Sequence, residues 1–177
     1  NGKKASEVLV EFAELNIYTD GPKGISASNG GTLTIDKGIL NTTGSGATGM
    51  DLNGITMAIT LQKVDVENLG MSDGLIFNNT HGILEVEGDT NLGMTARVAT
   101  GLDIDQGDAT FKFVGKVNIG NRQSGGIDIE GSNSQIEFGA TSISGNSDIE
   151  SQAGVRVADT AGGSIQFKET LTINDSQ

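Results

Sequence analysis

The chain has 177 residues, of which 23 are acidic and 11 basic, for a net charge of −12; it contains no Cys and no Trp. Without Cys there are no disulfides and no thiolate metal sites, and so acidic a chain is a poor match for nucleic acid phosphates or an anionic membrane. Twenty-seven glycines and 4% aromatic residues argue against a core built on large rings and favour stacked aliphatic side chains.

In chain order, the first alternating apolar pairs are Val10 with Phe12 and Leu15 with Ile17, a partial coil. Gly24 then opens the unit Gly24-Ile25-Ser26-Ala27. The same glycine followed by apolar, any, apolar recurs as Gly49-Met50-Asp51-Leu52, Gly74-Leu75-Ile76-Phe77, Gly101-Leu102-Asp103-Ile104, Gly126-Ile127-Asp128-Ile129 and Gly154-Val155-Arg156-Val157. The spacings are 25, 25, 27, 25 and 28 residues. Self-similarity at a fixed period is the signature of a repeat architecture.

Each copy carries further short alternating runs. A second run holds Leu33 and Ile35, then Ile59 and Leu61, Leu84 and Val86, Phe111 and Phe113, Ile136 and Phe138, and Ile165 and Phe167. A third holds Val64 and Val66, Val117 and Ile119, Ile143, and Leu171 and Ile173, with Leu92 filling the copy between Val66 and Ile119. Period two over four or five residues means a strand with one buried face. Three such strands per repeat with no helix between them predict an all-β chain: a right-handed parallel β-helix of about six to seven coils of about 25 residues. The left-handed hexapeptide form needs a shorter period, ~18 residues.

Stacking the copies predicts the register. The inward rows Ile25, Met50, Leu75, Leu102, Ile127, Val155 and Ala27, Leu52, Phe77, Ile104, Ile129, Val157 are wholly apolar. The row between them, Ser26, Asp51, Ile76, Asp103, Asp128, Arg156, points outward. On the second face Glu85, Lys112 and Glu137 form an alternating-charge row. Asn68, Asn121 and Asn146 follow the third strands, where an Asn ladder is expected. Bulged loops are expected near 96–100 and 147–153.

The six glycine units, with strands such as Ser164-Ile165-Gln166-Phe167 and Gly126-Ile127-Asp128-Ile129-Glu130-Gly131, resemble the passenger domains of bacterial autotransporter adhesins. The resemblance implies export across the outer membrane and display at the cell surface, or secretion, with roles in aggregation, biofilm formation and virulence. It also implies that residues 1–177 are one β-helix segment cut from a longer passenger domain. Filamentous haemagglutinin-like exoproteins and phage tail fibres share this geometry.

Candidate sites are few. Gly44-Ser45-Gly46-Ala47-Thr48-Gly49 matches GxGxxG, but a dinucleotide loop must open a helix, and here the last glycine opens a strand. His81, the one histidine, reads as a solvated turn residue. The Asn-x-Thr/Ser matches at Asn41, Asn78 and Asn174 are expected by chance in a chain this rich in those residues. Polysaccharide lyases and hydrolases use the same fold, but they need grouped catalytic charges and aromatic platforms; here Tyr18 is the one Tyr, and no catalytic residue is expected.

The sharpest feature is Asp103, Asp105, Asp128 and Glu130, predicted to share one outward patch on consecutive coils, with Arg156 stacked on Asp128. Such an oxygen cluster suits a hard cation such as calcium; no other cofactor is expected. The expected function is adhesion through this extended acidic face, with Asp103, Asp128, Glu130 and Arg156 as the binding candidates. The partner would be a copy on a neighbouring cell, or a host surface protein or glycan. Nucleic acid and insertion into a membrane are not expected. The alternative is a structural stalk within a larger exoprotein.

Overall fold

The structure is a computed structural model, describing residues 8–67, 72–94, 98–120, 122, 124–145, 153–160 and 162–175. The described chain holds nineteen strands and no helix. All pairings are parallel, and each strand lies beside its equivalent one coil away, which makes the chain a parallel β-helix with three strands per coil.

Face 1, which follows the repeat glycine, is built from β3 (Lys23–Ser28), β6 (Thr48–Asn53), the first half of β9 (Leu75–Val86), β11 (Leu102–Gly107), β14 (Ile127–Glu130) and β17 (Val155–Ala158). Face 2 takes β1 (Leu9–Phe12), β4 (Thr32–Ile35), β7 (Thr56–Leu61), the second half of β9, β12 (Thr110–Phe113), β15 (Gln135–Phe138) and β18 (Ser164–Phe167). Face 3 takes β2 (Leu15–Thr19), β5 (Gly38–Thr42), β8 (Lys63–Val66), β10 (Thr90–Leu92), β13 (Val117–Ile119), β16 (Thr141–Gly145) and β19 (Leu171–Asp175). Because β9 runs unbroken around the corner, faces 1 and 2 count as one twelve-stranded sheet.

The face 1 register is the one read from the repeat glycines: Met50 aligns with Leu75, Leu75 with Leu102, Leu102 with Ile127, and Ile127 with Val155. The inward residues of the middle coils are fully buried. On face 2 the first coils are offset: Leu33 aligns with Met57, and Ile35 with Ile59. Leu92 stands between Val66 and Ile119 on face 3. Phe113, Phe138 and Phe167 form a continuous stack, with centroids 5.3 and 5.0 Å apart. Burying one such aliphatic or phenyl side chain contributes about 1.5–3 kcal/mol.

The repeat glycine is required by space. A Cβ on Gly126 would stand 2.4 Å from the Gly154 carbonyl oxygen and 2.6 Å from the Ile143 side chain; at Gly74 and Gly101 the next coil's carbonyl is similarly close. The coil must pass that near to let Ile127 N–H donate to Gly154 O at 2.9 Å.

A second periodic position lies five residues on, where face 1 turns into face 2. Asn29, Gly54, Asn79, Gln106, Gly131 and Asp159 all have φ between 50° and 67°. This left-handed conformation is one that Gly, Asn and Asp tolerate best. Gly54 N–H donates to Asn78 O and Gly131 N–H to Ala158 O, so the corner's backbone groups are paired between coils.

Three expectations need revision or fall elsewhere. His81 lies within β9, in register with Thr56, and its Nδ1 is 2.5 Å from Asp108 Oδ1. It is therefore a paired strand residue and not an isolated turn residue, because Asn79 and Gly82 take the positive φ angles around it. Asn68, Asn121 and Asn146, and loop residues 96–97 and 147–152, lie outside the described residues.

Candidate functional site

Face 1 carries the acidic patch. Parallel pairing sets Asp103 beside Asp128 and Asp105 beside Glu130. Alternation turns Leu102 and Ile104 into the core and the carboxylates outward. Adjacent strands lie ~4.8 Å apart, so all four acidic groups share one surface.

The patch divides into two unequal halves. Arg156, next in the outer column, donates from Nη1 to Asp128 Oδ1 at 2.9 Å and to Glu130 Oε2 at 2.6 Å. These two carboxylates hold the Arg156 guanidinium well above its ordinary pKa. Among the described residues no cation pairs with Asp103 or Asp105. The Asp103 carboxyl is pushed up to about 6, first by burial and then by the charges of Asp73, Asp128, Asp105 and Glu130. Desolvation and like charge both disfavour its ionised form.

Sequence reasoning brought together the four carboxylates and the Arg156–Asp128 contact. It missed Asp73, which stands in the turn before Gly74 and accepts a hydrogen bond from Thr100 N–H at 2.8 Å. It also missed Arg156 bridging to Glu130. Among the described residues no three acidic or histidine side chains are gathered closely enough to hold a metal ion. Carboxylates in adjacent columns stand side by side on a sheet and do not converge on a point.

The other faces are electrically different. On face 2, Lys112 is 3.8 Å from Glu85, while Glu137 is 3.2 Å from Lys168. Face 3 carries a polar column, one residue per strand: Tyr18, Asn41, Asp65, Asn91, Asn118, Ser142 and Thr172. Asn118 Nδ2 donates to Asn91 Oδ1 at 2.8 Å, and Asn91 Nδ2 donates to Asp65 Oδ1 at 2.7 Å. An amide ladder thus exists here, in the middle position of the third strands. Its signal was the Asp or Asn between two inward residues in Val64-Asp65-Val66, Thr90-Asn91-Leu92 and Val117-Asn118-Ile119.

The fold and these surfaces define a β-solenoid with an acidic face and a neutral polar face. No protein-family model, curated protein or solved structure matches the chain.

Proposed function

We propose that this β-helix is a surface-displayed adhesin segment, of the kind carried by autotransporter passenger domains. It acts by binding a copy on a neighbouring cell or a host or matrix ligand through outward columns of the coil. The observation that carries the reading is the in-register alignment of Asp103 with Asp128 and of Asp105 with Glu130, with no cation paired to Asp103 or Asp105 among the described residues. A rigid rod that presents the same columns on successive coils repeats weak contacts, and many copies on one surface multiply them by avidity. The surface that meets face 1, on a host or matrix ligand or on another face of a copy, is expected to carry positive charge.

The test is display. Cells carrying the parent protein should clump or retain matrix material, and the Asp103→Asn, Asp105→Asn double variant should reduce it. Display without clumping or retention overturns the reading. A stalk is the second reading, supported by the left-handed corner residue repeated in every coil from Asn29 to Asp159. Replacing this segment by an unrelated β-helix of equal length would leave adhesion unchanged for a stalk and abolish it for a binder.

A further inference from the structure

We infer that face 3 is a separate binding surface, fitted to a neutral, hydroxyl-rich chain such as an unbranched glycan lying along the solenoid axis. It goes beyond the acidic face and uses none of its residues.

The first ground is the column itself. Seven consecutive strands of face 3 present a hydrogen-bonding side chain at the same outward position, from Tyr18 through Asn41, Asp65, Asn91 and Asn118 to Ser142 and Thr172. Each Asn amide has two N–H donors and a carbonyl acceptor. The ladder contacts Asn118→Asn91 and Asn91→Asp65 use one donor from each amide. They fix the amide planes and leave the second N–H of each unused by the ladder. Preorganised donors and acceptors at an interval of ~4.8 Å suit a polymer that offers hydroxyls repeatedly along its length.

The second ground is charge. Lys63 is ion-paired with Asp65 on the same strand, and the neighbouring Asp89 and Lys116 add one charge of each sign. With Glu67 just past the end of β8, the middle of face 3 is close to balanced, in contrast to face 1. A charged polymer gains nothing here over a neutral one.

The third ground is Tyr18. Its side chain lies at the head of the column and is 67% exposed. Tyr18 is in register with Asn41, and Asn41 with Asp65, so the ring stands in the same outward column two strands before Asp65 and its Asn91 partner. An exposed phenol beside the Asn41 amide, in line with the fixed amides further along the column, gives an apolar platform with a polar rim, which matches the apolar C–H face and hydroxyl edge of a sugar ring.

The experiment adds cellohexaose or maltohexaose at millimolar concentration to the isotopically labelled chain, with hexagalacturonate as the charged control. The expected result is that side-chain amide signals of Asn41, Asn91 and Asn118 move with a neutral hexasaccharide and less with the charged one. Tyr18→Ala should weaken that binding at least tenfold, while Tyr18→Phe should keep most of it. The unchanged remainder of the Tyr18→Ala spectrum would show that the fold is intact. No movement on face 3 with either neutral sugar, movement on face 1 instead, or equal binding by Tyr18→Ala would each overturn the inference. The adhesin reading fails separately. Sugar binding in solution without any attachment by displaying cells keeps this inference and removes that one. Attachment that persists in Tyr18→Ala, with no sugar bound by the parent, does the reverse.

Discussion

Asp103 and Asp128 stand directly beside each other on adjacent parallel strands, yet of this pair Arg156 binds Asp128 and leaves Asp103 the less compensated. The column therefore ends in a satisfied charge and carries a strained one in its middle. That asymmetry has consequences for stability.

The Asp103 carboxyl has a folded-state pKa of about 6, above its ordinary 3.8. A raised carboxylate pKa means that ionisation opposes folding. The cost is full above pH 6, shrinks as pH falls through 6, and is absent below 3.8. Asp103→Asn should therefore be more stable than the parent at pH 7.5, by about 1 kcal/mol once water screening of a half-exposed group is allowed for. The difference should vanish near pH 4. Thermal melts of both proteins from pH 4 to 8 measure it, and a destabilised variant at pH 7.5 would contradict the register.

Calcium should stabilise the protein no more than sodium at matched ionic strength. The carboxylates of β11 and β14 are aligned in columns, without three of them gathered for one ion. A ligand that binds only the folded state raises the melting temperature by mass action. A calcium-specific rise lost in the Asp103→Asn, Asp128→Asn double variant would establish a cation site on this face.

Ile127→Asp or Ile129→Asp should destabilise by about 4 kcal/mol or more. Both side chains are buried, at 0% and 1% exposure, between Leu102 or Ile104 and the next coil. A carboxylate there has no partner and no water. Circular dichroism melts give the answer, and a shift of a degree or two would refute the stacked core.

Two glycines separated by five residues should respond unequally. Gly126→Ala should cost about 2 kcal/mol, because its Cβ meets backbone and the Ile143 side chain at 2.4 and 2.6 Å. Gly131→Asn should cost less than about 1 kcal/mol: φ is +61°, the nearest atoms to an added Cβ are 3.6 Å away, and Asn tolerates that conformation. Denaturant titrations of the two variants compare them. A Gly131→Asn protein as weakened as Gly126→Ala would mean that the corner has no room.

Protection from hydrogen exchange should be highest from β9 to β14 and lowest in the outer coils. Val10 and Val157, inward residues of outer coils, are 40% and 47% exposed, while their equivalents Met57 and Ile129 are 1% exposed. Coils that touch only their neighbours fray from the outside. Uniform protection from β1 to β19 would count against a one-dimensional array.

The sequence by itself determined the fold, the period and the face 1 register. Those depend on alternation and glycine spacing, which repeat locally and can be checked copy against copy, as in Ile25, Met50, Leu75 and Leu102. It also placed Asp103, Asp105, Asp128 and Glu130 on one surface, since register alone fixes columns. Other features were legible but unread: the left-handed corner at Asn29, Gly54, Asn79, Gln106, Gly131 and Asp159, and the amide ladder through Asn91 and Asn118. Only the tertiary structure decided which carboxylates Arg156 takes, that Asp73 joins the Asp103 neighbourhood, and that His81 finds Asp108. These contacts join groups 26–30 residues apart through side-chain reach and loop path. A column position says which groups are neighbours; it does not say toward which neighbour a long, flexible side chain turns.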